Sequence, residues 1–142
     1  MRIRLAALEK AGDAMVINRF ILQEEVEWCF AASDAVLLPY RKHFGSSGVL
    51  VQAAMAGKPV IASDEGLTAD RVRRFNMGWL FRPGDGASLQ SVLVGLESGG
   101  LEEGAGTRRA GLARYARESS PEAFDRALTE GLSEEKTRLD HG

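Results

Sequence analysis

Residues 35–66 read AVLLPYRKHFGSSGVLVQAAMAGKPVIASDEG, and the order of signals in this stretch decides the fold. The run 35–38 is continuous and apolar and stops at Pro39, the pattern of a strand covered on both faces of a parallel sheet. A loop rich in glycine and serine follows. Residues 48–56, GVLVQAAMA, predict a short, nearly all-apolar helix with Gly57 placed to end it. Pro59 then opens a second buried strand over 59–62, at a position where the missing N–H is tolerated. Strand, helix, strand in so short a span is a βαβ unit, and such crossovers are right-handed.

The same alternation continues outward. Toward the amino terminus, 24–32 predicts a helix with acidic residues in its first turn, 14–20 (AMVINRF) a strand and 2–10 a helix closed by Gly12. Toward the carboxyl terminus, 68–75 predicts a helix, 78–81 (GWLF) a strand and 88–96 a helix. A glycine- and glutamate-rich loop follows over 95–106, then an amphipathic helix over 107–117. Serines, a proline and Glu122 within 119–124 predict the start of a last helix, and 133–142 a frayed polar tail. The expected fold is α/β. It is a three-layer, Rossmann-like sandwich with a mainly parallel sheet of about four strands and helices on both faces, in one unit over 1–142.

Composition narrows the function. With 44% apolar and 27% charged residues over 142 positions, the chain is that of a globular domain. One cysteine, Cys29, excludes an internal disulfide and a Cys-rich zinc site, and burial among apolar neighbours is its expected state. Two histidines leave little from which to build a metal centre, and no metal site is expected. No apolar run approaches the ~20 residues of a membrane span. The net charge of −2 hides a middle, 41–82, with seven basic and three acidic residues. That suits a local anion site and is too modest for a nucleic-acid face, so no nucleic-acid partner is expected.

The loop between the two central strands is the place for such an anion. Ligands of doubly wound sheets bind at the carboxyl ends of the strands. A helix N-terminus there offers free N–H groups and a partial positive charge. Gly45 and Gly48 let a ligand approach the backbone, and Ser46 and Ser47 add hydroxyls. The spacing matches neither a Walker loop nor the GxGxxG fingerprint, and an ordinary serine-capped helix is the competing reading. Arg41 and Lys42, with His43, stand just past the strand end as weaker candidates for nucleotide contact, an exposed loop being the alternative. Asp64 and Glu65 stand at the end of the next strand, as ligand contacts or as a turn and cap. Trp79 and Phe81 read as core, and Arg71, Arg73 and Arg74 as a solvated helix face.

Residues 18–96 resemble the carboxy-terminal, donor-binding domain of GT-B-fold retaining glycosyltransferases, group 1 or family 4. AASD at 31–34 and LLPY at 37–40 resemble the family's passage of helix, Ala-Asp, strand and proline. FGSSGVLVQAAMAGKPVIASDEG at 44–66 resembles its signature of two glutamates eight positions apart, followed by Ala-Met-Ala-x-Gly-x-Pro-Val. GWLFRPGDGASLQSVL at 78–93 resembles its strand, Pro-Gly-Asp and helix segment. The signature glutamates are replaced here by Phe44 and Gln52. In the family the second accepts bonds from the donor ribose and the first contacts the transferred sugar. Gln52 keeps an acceptor but loses a charge-assisted bond worth ~1.5–3 kcal/mol against ~1 kcal/mol for a neutral one. Phe44 cannot hydrogen-bond.

The resemblance implies the donor-binding portion of a retaining hexosyltransferase using a UDP-, GDP- or ADP-sugar, without cofactor or metal. The diphosphate would lie on Gly45, Ser46, Ser47 and Gly48 and the ribose near Gln52, with Phe44, Arg41 and Lys42 as weaker contacts; no catalytic residue is assigned. The family's acceptor-binding amino-terminal domain and its Arg…Lys pair have no counterpart in residues 1–142. The expectation is therefore a partial domain, inactive as an isolated chain, that meets an acceptor glycan or glycolipid only together with such a domain. The location implied is cytoplasmic or peripheral to a membrane, and an open sheet edge would favour a homo-oligomer. The competing expectation is a non-catalytic nucleotide- or ligand-binding regulatory module of the same fold.

Overall fold

The βαβ unit read from residues 35–66 is present in the structure, a computed structural model that describes residues 2–42, 45, 47–120 and 122–123. Strand β1 (Val36–Leu38) leads through α3 (Gly48–Met55) to β2 (Val60–Ser63). Helix α4 (Gly66–Phe75) then leads to β3 (Gly78–Phe81). The three strands are parallel in the order β1-β2-β3, with Val36 opposite Val60 and Val60 opposite Gly78. Helices α1 (Arg2–Ala11) and α2 (Gln23–Ala32) precede the sheet, and α5 (Gly86–Gly95) and α6 (Ala105–Glu118) follow it.

Local chemistry explains the boundaries. Ser47 caps α3 by accepting the Leu50 amide at 3.2 Å. Gly57 leaves the helix at φ +66°, and the Gly57 and Lys58 amides return to the carbonyls of Ala54 and Ala53 at 3.0 and 2.8 Å. Asp85 caps α5 through the Ser88 amide at 3.0 Å. Asn76, in the left-handed region at φ +51°, ends α4.

Strand side chains alternate between two apolar layers. Leu38, Val60 and Ala62 face one, built with Leu50, Ala53 and Ala54 of α3, Val72 and Phe75 of α4 and Leu112 and Tyr115 of α6; Phe30 of α2 packs against it. Ile61 and Phe81 face the other, closed by Leu96 and by Leu89 and Val92 of α5. The molecule is thus the α/β, Rossmann-like sandwich with helices on both faces. No helix among the described residues is long and apolar enough to cross a membrane.

Three details depart from the sequence reading. The sheet has three strands among the described residues rather than about four, because 14–20 is not a strand. Met15 and Phe20 are 82% and 90% exposed, and the Val16 amide is taken by the Glu9 carboxylate at 3.0 Å instead of a ladder carbonyl. A strand-like composition forms a strand only beside an edge to pair with. The loop over 95–106 opens with a wide helical turn, Leu96–Gly100, broken where Gly99 adopts φ +101°. Cys29 is exposed rather than buried, since α2 turns Phe30 to the core and leaves Cys29 and Trp28 outside. Of the last helix, the capping serine is seen: Ser120 Oγ accepts the Ala123 amide at 3.2 Å. Residues 124–142, including the tail at 133–142, lie outside the described residues.

Candidate functional site

Because the strands are parallel, their carboxyl ends share one edge. Residues 39–42 after β1, 64–66 after β2 and 82–86 after β3 therefore meet there. Two contacts tie these segments together. The Lys42 amide donates to Glu65 Oε2 at 3.0 Å, with Lys42 itself in the left-handed region at φ +55°. The Arg41 guanidinium packs over the Gly84 turn, about 3.4 Å from where a Cβ on Gly84 would stand. Within the segments, Asp64 pairs with Arg73, and Arg82 pairs with Asp85 at 3.0 Å.

The start of α3 lies at this edge. Leu50 donates its amide to the Ser47 hydroxyl and carbonyl, and Val51 reaches the same carbonyl at 3.4 Å. The amides of Gly48 and Val49 have no acceptor among the described residues, as expected for the first turn of a helix. Gly48 is exposed, and a Cβ there would meet nothing within 4 Å. The open approach to two free amides is the chemical content of the site: it offers N–H donors and the positive helix end to an anion.

The sequence candidates distribute as follows. Gly45, Ser47 and Gly48 lie together at the start of α3, Ser47 buried and Gly45 and Gly48 exposed. Arg41 and Lys42 flank them on the same edge, Arg41 occupied against Gly84 and Lys42 held by its backbone. Phe44 and Ser46, with His43, lie outside the described residues. Gln52 stands one turn into α3 and lines a groove of about 370 Å³ between α2 and α3 with Gln23, Val26, Glu27, Phe30 and Met55. Glu65 stands directly before α4, but its carboxylate makes no cap bond to the helix and instead accepts the Lys42 amide across in the β1 loop. Two buried hydroxyls near the edge, Ser63 Oγ at the end of β2 and Thr68 Oγ1 in the first turn of α4, have no partner among the described residues.

The sequence reading did not single out Tyr40. Its hydroxyl lies 3.0 Å from Ser47 Oγ, joining the two ends of the loop. The available signal was a phenol directly after the strand-ending Pro39, seven residues before a capping serine. Of the arginines of α4, Arg73 and Arg74 are exposed as a solvated face requires, Arg73 paired with Asp64 and Arg74 over the Phe75 ring at 5.3 Å, whereas Arg71 is half-buried and donates to the Tyr115 hydroxyl at 2.9 Å. Trp79 is half-buried under the Arg108 guanidinium at 4.3 Å. Among the described residues no group of three His, Cys, Asp or Glu is placed to hold a metal ion.

No curated protein matches the chain significantly. Residues 2–98, more than half of its length, match the family described as glycosyl transferases, group 1, and both central strands, the loop and the start of α3 fall inside the match. A parallel α/β sandwich whose ligand edge carries an open helix N-terminus fits that match, and the chain belongs to the group 1 glycosyltransferases.

Proposed function

We propose that the chain is the donor-binding portion of a retaining hexosyltransferase of this family, taking a nucleoside diphosphate sugar. The observation that carries this reading is the open first turn of α3. The Gly48 and Val49 amides have no acceptor among the described residues at the carboxyl edge of the sheet, and Gly48 leaves the approach to them clear. A diphosphate seated on those amides gains their hydrogen bonds in the bound state. It gains more as the sugar departs, because charge then accumulates on the leaving nucleotide beside a fixed positive helix end. In this reading Gly45, Ser46, Ser47 and Gly48 cradle the diphosphate, and no metal or cofactor is required for the step. Phe44, Arg41 and Lys42 rank as weaker contacts. The base is that of UDP, GDP or ADP.

Residues 1–142 form one partial donor-binding unit in this proposal. As an isolated chain it does not turn over, because residues 1–142 hold no counterpart of the family's acceptor-binding domain or of its Arg…Lys pair. An acceptor glycan or glycolipid is met only with an acceptor-binding domain. The proposed setting is the cytoplasm or its membrane surface, and the free side of β1 is the proposed seam of a homo-oligomer.

Calorimetry with UDP, GDP and ADP tests the donor reading, with Gly48→Ala as the control. The added methyl meets empty space in the fold, so the thermal transition stays where it is or rises. A phosphate seated on the backbone does meet it, and affinity falls about tenfold or more, ~1.4 kcal/mol. Absence of binding by all three nucleotides at millimolar concentration sinks the proposal.

A second reading, a non-catalytic ligand-binding or regulatory module, is favoured by Gln52, which lines the groove against α2 with Gln23 and Glu27. Gln52→Glu separates the two. Under the transferase reading the restored carboxylate tightens nucleotide binding by up to about tenfold, a charged acceptor being worth about 1 kcal/mol more than a neutral one. Under the regulatory reading, affinity is unchanged.

A further inference from the structure

We infer that Tyr40 is a positioning residue for the donor loop: its phenol locks the capping side chain of Ser47 and so fixes the direction of the Gly48 and Val49 amides. The inference deepens the donor-binding reading above and rests on it.

Ser47 is 4% exposed, and its hydroxyl oxygen already accepts the Leu50 amide. A serine hydroxyl has one proton and two lone pairs, and water has little access to this one. Tyr40, two residues beyond the end of β1 and packed against the core layer that includes Leu38 and Leu50, supplies a second partner at 3.0 Å. Either hydroxyl can donate; in both cases the serine oxygen is held between the Tyr40 hydroxyl and the Leu50 amide. The bond also joins two elements: Tyr40 stands just past β1, and Ser47 stands at the head of α3.

A helix cap fixed in this way holds the first turn of α3 in place before a ligand arrives. Binding to that turn costs correspondingly less ordering. The neighbouring tie, from the Lys42 amide to Glu65, is exposed to solvent and holds only the first part of the loop. Among the described residues, the Tyr40 bond reaches the cap and, through it, the Gly48 and Val49 amides.

Tyr40→Phe keeps the ring and its packing and removes only the hydroxyl. Three measurements on the full chain follow: thermal melting, hydrogen exchange at the Leu50 amide without nucleotide, and calorimetric affinity for the nucleotide that the wild-type chain binds. The expected result is a small change in melting, exchange at Leu50 about fivefold faster and a dissociation constant about fivefold higher, the worth of one neutral hydrogen bond. In a Ser47→Ala background, where the bond no longer exists, Tyr40→Phe changes affinity by less than about twofold, as a shared interaction requires. Wild-type exchange at Leu50 in Tyr40→Phe overturns the inference, and so does an equal loss of affinity in the Ser47→Ala background. If Leu50 exchange quickens but the wild-type chain binds no nucleotide, the donor reading fails and Tyr40 is left as a brace of the helix cap without a role in binding.

Discussion

At the scale of single residues, the entry to α2 shows how an exposed charge can organise a helix end. Glu25 accepts two bonds from the Arg19 guanidinium, at 2.9 and 2.5 Å, and one from the Leu22 amide at 2.9 Å. The bonds from Arg19, and then that from Leu22, hold its carboxyl down from the ordinary 4.5 to about 2. The folded carboxyl is thus the stronger acid, so its contribution is complete above about pH 4.5 and is lost as pH falls through about 2. A carbon-detected titration of Glu25 should show a midpoint near 2, and Arg19→Ala should return it toward the ordinary range. An unshifted midpoint in the wild-type chain would contradict the geometry. Bonds of this kind, between residues close in the chain, lie within reach of sequence reasoning. The partners of the α4 arginines do not. Arg71 finds the Tyr115 hydroxyl 44 positions away, which no local spacing announces. Cys29 was misplaced for a similar reason: its neighbours in sequence are apolar, yet α2 turns it outward.

At the scale of elements, β1, α3 and β2 were legible because each carries its own start and stop: Pro39, the serine cap, Gly57 and Pro59. The segment 14–20 has strand composition but no edge to join, and a strand exists only as one of a pair. Helix α6 was placed from its pattern, but its partner was not. The structure packs it across α3 and α4, with Leu112 and Tyr115 buried and the Tyr115 ring edge-on to Phe75 at 5.0 Å. The closest approach is at Gly111, where a side chain would collide with the Phe75 carbonyl. Gly111→Ala should therefore force the two helices apart and lower stability by about 1–3 kcal/mol, measured by urea denaturation, although alanine is the better helix former. An unchanged midpoint would mean that α6 is not seated as described.

At the scale of the whole molecule, the recognised family segment and the core do not coincide. The family match ends at residue 98, whereas the main apolar layer draws Leu112 and Tyr115 from α6. A chain ending at Gly104 should lose its cooperative melting transition in circular dichroism and bind a hydrophobic dye, since Phe75, Val72 and Leu50 lose their cover. Retention of a sharp transition would show that α6 is dispensable. The alternation of elements gave the sandwich and its two covered faces. It could not give the number of strands or the lid over α3 and α4, both of which are set by contacts between distant segments.

The position of α6 also sets a schedule. Synthesis delivers the sheet and the loop before α3 first, with one face uncovered until residue 115 has left the ribosome. During that interval the nascent chain carries a bare apolar surface of Leu50, Val72 and Phe75, the kind of surface that draws chaperones or sticks to its neighbours. A helix more than fifty residues beyond the loop before α3 is thus the one whose arrival decides when that loop stands on a covered core.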